Sequence, residues 1–187
     1  MSRILPIVLL SLLSLTGIFA EQAKPEPPVG FHWQRLEAIR ASVLSPDGWN
    51  YRAEESGGGL AYFISKDKFA PSGEFKTGLS LNCIRKLSKK GKMKPSDYIE
   101  AFTSEADAKY SIIDPKTNSV GPIKMMWFGV LSPKEGPEAT RSTHLLIAND
   151  TTDTLYMVVF EAPLADWRKA YEAGYVMLKN ISIDAGF

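Results

Sequence analysis

The spacing of apolar positions changes several times along this chain, and each change marks an element. Residues 39–44 form an apolar run stopped by Ser45-Pro46-Asp47-Gly48, a strand ending in a turn. Trp49 and Tyr51 begin a second short strand, and Gly57-Gly58-Gly59 turns the chain into a third at residues 60–64. Residues 65–78 are polar with two glycines and a proline, and read as a loop. Leu79, Leu81 and Cys83 then alternate with Ser80 and Asn82, the period of a half-buried strand. Three more strands lie close together at residues 123–131, 140–149 and 155–162. The first and last of these are apolar on both faces. Asp150-Thr151-Thr152-Asp153 is a hairpin link, since Asp and Thr make local backbone hydrogen bonds in turns.

Two stretches switch to helical spacing. Pro95 opens the first, with Tyr98, Ile99, Phe102 and Ala106 on one face and Asp97, Glu100 and Glu105 off it. Pro163 opens the second, with Leu164, Trp167, Tyr171, Tyr175 and Leu178 as the apolar stripe. Gly174 inside that helix costs ~1 kcal/mol relative to Ala, which close packing on a sheet offsets. Residues 109–121, with Pro115 and Asn118 as breakers, read as irregular, and residues 181–184 as a short terminal strand. Clustered strands with short links and two widely separated helices specify an α+β fold with a largely antiparallel sheet. Strands apolar on both faces need cover on both sides. The expected architecture is therefore a three-layer α/β/α sandwich.

The first twenty residues follow a different logic. Arg3, an apolar run over residues 4–15 and Ala20 have the layout of a secretory signal peptide. The run falls short of the ~20 residues that span a bilayer. The expectation is export, cleavage after Ala20, a periplasmic or extracellular location and no integral membrane anchor. Residues 21–30 carry three prolines and read as an extended tether; residues 31–187 read as a single domain. Loss of Arg3 with the leader leaves a neutral chain, which argues against nucleic acid as a partner. Cys83 is the only cysteine, so no intrachain disulfide holds the fold.

Candidate chemistry is sparse. Cys83 with His144 is the one cysteine nucleophile–base pair, but the alternation points Cys83 into the core. No G-x-S-x-G motif occurs, and His32 and His144 are the only histidines. No metal-ligand spacing such as H-x-H, C-x-x-C or H-E-x-x-H is present; a site built from His144 with Glu54 or Glu55 would depend on the fold. The sequons at Asn149 and Asn180 matter only in a secreting eukaryote. The concentrated feature is a basic, Gly-containing loop over residues 86–94. Lys89, Lys90, Lys92 and Lys94 there are the candidate contact for an anionic partner, either a lipid surface or an acidic envelope protein. No cofactor is called for.

Residues 41–49, ASVLSPDGW, and 155–163, LYMVVFEAP, followed by Trp167, the closing helix and Ile181-Ser182-Ile183, resemble the PsbP/Mog1-like fold, which includes exported bacterial proteins of the DcrB type. The resemblance runs by order of elements from about Ile39 to Asp184. It implies an α/β/α sandwich and a binding role without catalysis. The expected function is a non-enzymatic exported binding or assembly module of the cell envelope. The alternative is a carrier of a small ligand or lipid in a pocket between sheet and helix.

Overall fold

The structure, a computed structural model, describes residues 24–56, 59–132, 136 and 139–187. The leader, the start of the tether and the Gly57-Gly58 part of the glycine turn lie outside the described residues. The elements run β1 (Phe31–Leu36), β2 (Ala41–Pro46), β3 (Asn50–Ser56), β4 (Gly59–Ser65), β5 (Gly78–Arg85), α1 (Leu87–Gly91) and α2 (Pro95–Lys109). They continue with β6 (Ile112–Val120), β7 (Ile123–Leu131), β8 (Thr140–Asn149), β9 (Thr154–Pro163), α3 (Trp167–Lys179) and β10 (Ser182–Ile183).

Seven strands form one antiparallel sheet in the order β3-β4-β5-β9-β8-β7-β6. Its central strand explains the doubly apolar pattern: Leu155 and Tyr156, on opposite faces of β9, are both essentially inaccessible. On one face α1 and α2 cover a cluster that includes Ile99, Phe128, Leu146 and Leu155. On the other, α3 shares the cover with a second sheet, β1-β2-β10. The Tyr156 hydroxyl donates to the Ile39 carbonyl at 3.3 Å and ties the turn between β1 and β2 to the central sheet. The three-layer α+β sandwich is therefore present, with one outer layer part helix and part sheet.

Four local expectations are corrected. Residues 31–36 form β1, and Ile39 lies in a short 3-10 turn before β2 rather than in the strand. Residues 109–121 are not irregular: they finish α2 and form the edge strand β6. Pro115 is tolerated there because the β6–β7 register shifts between Ile113 and Lys116, so the missing N–H breaks no ladder bond. The basic loop contains the single-turn helix α1. On α3 the buried residues are Trp167, Gly174, Met177 and Leu178, whereas Leu164 and Tyr175 are exposed. The stripe is rotated because Gly174, lacking a side chain, lets the helix settle on Phe160 along that line.

From Lys24 the proline-rich segment runs without regular structure along β1. The Trp33 indole donates to the Pro25 carbonyl at 2.9 Å, and Phe31 N–H to Pro28 at 3.0 Å. No helix among the described residues is long and apolar enough to cross a membrane.

Candidate functional site

The small sheet and α3 together do not cover the whole of their face. Beside α3, over β6, β7 and β8, a half-open cavity of about 540 Å³ remains. Its floor follows directly from strand alternation. Every second residue of β8 points into it, so Arg141, Thr143, Leu145 and Ile147 succeed one another along it. Opposite them in register stand Leu131, Gly129, Trp127 and Met125 of β7. Of these, Gly129, Trp127 and Met125 line the cavity. Tyr171, Tyr175 and Leu178 of α3 form one wall, and β6 the other.

Arg141 is the chemically distinctive member. Its guanidinium carbon lies 5.1 Å from the centre of the Trp167 ring, a cation–π contact. Its Nε is buried and has no hydrogen-bond acceptor. Among the described residues no carboxylate pairs with it. An unmade hydrogen bond on a buried polar group costs ~1–3 kcal/mol, more when the group is charged. Trp167 is itself held tightly, stacked on Tyr171 at 4.7 Å and tilted against Phe160 at 6.0 Å. The aromatic cluster thus fixes one side of the guanidinium, and no carboxylate among the described residues neutralises its charge.

The opposite face of the sheet carries the arrangement closest to a catalytic one. Ser142 Oγ and His144 Nε2 are 2.9 Å apart. His144 is stacked on Phe128 at 4.9 Å, and burial lowers its pKa to about 4. Its Nδ1 is buried without a partner. A serine–histidine pair needs a carboxylate on that second nitrogen to hold the tautomer and stabilise the imidazolium. Glu161 stands across from Ser142 in the β8–β9 register, yet no hydrogen bond joins it to either residue. Cys83 lies in the core on the other side of the sheet, its thiol pushed up to about 11 by burial. The two halves of the cysteine–histidine pair are therefore kept apart by the sheet. Among the described residues no group of His, Cys, Asp and Glu is placed to hold a metal ion.

Lys89, Lys90, Lys92 and Lys94 are all exposed and sit together between β5 and α2. Both ends of their segment are fastened to the β8–β9 turn. Ser88 donates from its amide to Asp153 Oδ1 at 2.9 Å and from its hydroxyl to Oδ2 at 2.6 Å. Ser96 does the same with Asp150, at 2.9 and 2.7 Å. Asp150 thereby satisfies an otherwise orphaned amide at the start of α2. The Ser88 contacts hold the Asp153 carboxyl below its usual range. Asn149 is buried, with its amide donating to the Ala185 carbonyl at 2.8 Å, so this sequon is closed to modification in the folded chain. His32 pairs with Asp47 at 2.9 Å on the surface.

Arg141 and Trp127 were not singled out by sequence reasoning. The signal available was the one-sided series Arg141, Thr143, Leu145, Ile147, whose meaning depends on knowing which part of the sheet α3 leaves uncovered.

No protein-family model matches the sequence, and no curated protein matches it. Solved structures do. The chain is similar to cyanobacterial PsbP (CyanoP) from Synechocystis, with 12% identity and a TM-score of 0.52 over 83% of this chain and 93% of that one. It is also similar to the Saccharomyces cerevisiae Ran-binding protein Mog1p, with 13% identity and a TM-score of 0.48 over 82% of this chain and 95% of that one. A third similarity is to LpqN, involved in cell envelope biogenesis of Mycobacterium tuberculosis, with 14% identity and a TM-score of 0.46 over 76% of this chain and 82% of that one. Identities this low speak to fold alone. The antiparallel sheet covered on both faces, and the overlap with nearly the whole of CyanoP, lead to one conclusion: the chain has the PsbP/Mog1-like fold.

Proposed function

We propose that this protein is a non-enzymatic binding module of the cell envelope. In this reading residues 1–20 are a cleaved export signal, residues 21–30 a tether and residues 31–187 one domain. The observation that carries the binding role is the cavity beside α3, whose lining joins aromatic and aliphatic side chains to polar and charged ones. Small-molecule sites combine apolar walls with placed polar groups, and this cavity offers both. It favours the carrier reading, in which the module holds a small ligand or lipid between sheet and helix. The absence of an acceptor on His144 Nδ1 supports a role without hydrolysis.

Native mass spectrometry of the protein purified from its host tests this. The expected result is a non-covalent adduct of small-molecule mass, lost in a Met125→Trp variant that fills the cavity. An adduct-free spectrum from both proteins overturns the carrier reading. The exposed lysines supply a second surface, for an anionic partner of the envelope, and its rigid fastening to Asp150 and Asp153 is the observation that favours it.

A further inference from the structure

The floor of the cavity changes character along β8, while Asp114, Lys116 and Asn118 of β6 and Lys179 of α3 add polar groups to its walls. Along β8 the order is a cation at Arg141, a hydroxyl at Thr143, then hydrocarbon at Leu145 and Ile147. On β7, Gly129 stands opposite Thr143, and Trp127 and Met125 stand opposite Leu145 and Ile147. From Arg141 to Ile147 the floor extends about 20 Å, at ~3.4 Å per residue. We propose that this groove binds a long-chain carboxylate, its head on the Arg141 guanidinium and its hydrocarbon tail laid along Leu145, Trp127 and Met125. The proposal rests on the groove being the binding surface, and goes further by naming the ligand class.

Three arguments carry it. First, Arg141 has no carboxylate partner among the described residues, so its charge is available to an incoming anion. Guanidinium and carboxylate pair through two parallel N–H···O bonds, the geometry for which Arg is suited. Second, packing on Trp167 at 5.1 Å holds the side chain in place, so less rotamer freedom is lost when an anion arrives. Third, a free inorganic anion would leave Leu145, Ile147, Trp127 and Met125 unused, while a neutral lipid would leave Arg141 without a carboxylate. A ligand with both parts meets the guanidinium and the hydrocarbon of the floor together. Lys116, Lys179 and Asp114 also line the cavity, and none of them pairs with Arg141.

The test titrates the purified chain with dodecanoate below its micelle concentration, dodecanol below its solubility limit, and acetate, following tryptophan emission. Trp127→Phe identifies the part of the signal that arises in the groove. Dodecanoate is expected to bind about tenfold or more tightly than dodecanol, as loss of a charge-assisted pair implies. Acetate is expected to give no signal. Arg141→Gln should bring dodecanoate down to the dodecanol level and leave dodecanol unchanged; Arg141→Lys should recover part of the difference. Equal binding of dodecanoate and dodecanol overturns the proposal while the groove remains a lipid site. Silence with both overturns the proposal and the carrier reading together. Acetate binding as tight as dodecanoate overturns the role of the tail. The comparison of the three ligands on the unaltered chain decides the matter even if an Arg141 variant folds poorly.

Discussion

A Cβ built on Gly174 would lie 2.5 Å from Cδ1 of Phe160, inside the distance any real contact allows. Two effects then oppose each other in Gly174→Ala. Helix propensity favours Ala by ~1 kcal/mol, and overpacking a closed core costs ~1–3 kcal/mol. The ring wins, because Phe160 is fully buried and has nowhere to move. Thermal melting should show a lower midpoint for Gly174→Ala, partly restored when Phe160→Leu is added; an unchanged or higher midpoint would mean α3 rides further from the sheet. Trp167→Ala should be worse, at ~3–5 kcal/mol, since it removes the contacts to Phe160, Tyr171 and Arg141 at once. His144 sets a pH dependence. Its folded pKa is about 4 against an ordinary 6.5. Between those values the unfolded chain takes up a proton that the folded chain refuses. Stability is therefore full above about pH 6.5 and falls as pH drops towards 4, by roughly 3 kcal/mol in all. Glu161, whose carboxyl is raised by burial, acts in the opposite sense just above its ordinary value. Urea unfolding at about pH 7 and pH 4.5 should show a smaller loss for His144→Gln than for the unaltered chain. An equal loss would assign the slope to other groups.

The β8–β9 hairpin does more than join two strands. Its two aspartates hold the start of α1 and the start of α2, so the lysine segment between them is fixed at both ends. Replacing Asp150 or Asp153 by Ala should cost ~1 kcal/mol, the usual value of a helix-terminal side-chain acceptor. Amide exchange should quicken first at Ser96 or Ser88 respectively; uniform quickening across the sheet would count against a local clamp. Neutralising Lys89, Lys90, Lys92 and Lys94 together should leave melting within ~0.5 kcal/mol per change. Binding to anionic vesicles should weaken in that variant, and binding by the unaltered chain should fade with salt, because exposed charges are screened beyond ~8 Å at physiological ionic strength. Unaltered vesicle binding would leave the segment as a solvated connector. Most elements were legible because their burial is one-sided or complete: β7, β8 and β9 have strong apolar patterns, and Pro95 marks α2. β6 was not, since an edge strand with both faces wet has no apolar period, and Pro115 imitates a breaker. β1 was missed for a similar reason, its residues being only partly buried apart from Leu36. The groove was legible only as a generic pocket between sheet and helix. Its chemistry depends on where α3 stops, which no local pattern records.

At the scale of the whole molecule, export remains the first thing to measure. N-terminal sequencing of the protein from its native host should begin at Glu21, the residue after Ala20; an intact Met1, or recovery with the cytoplasm, would remove the envelope from the proposed function. A net charge of only +1 over the full sequence also means that the molecule repels its own copies weakly. Something else must then keep the sheets of separate molecules apart, and the irregular β6 strand meets that need. An open sheet has two margins, each a row of amides and carbonyls able to recruit a strand from a neighbour. At the β3 margin, Arg52 is ion-paired with Glu54 at 2.9 Å, and Glu55 adds a further charge. At the β6 margin, Pro115 offers no amide and the backbone kinks through Asp114, at φ 49°. A straight β6, made by Pro115→Val together with Asp114→Thr, should therefore form larger particles by light scattering as concentration rises. The kink that hides this strand in the sequence is thus expected to deny a neighbouring molecule a straight margin to extend.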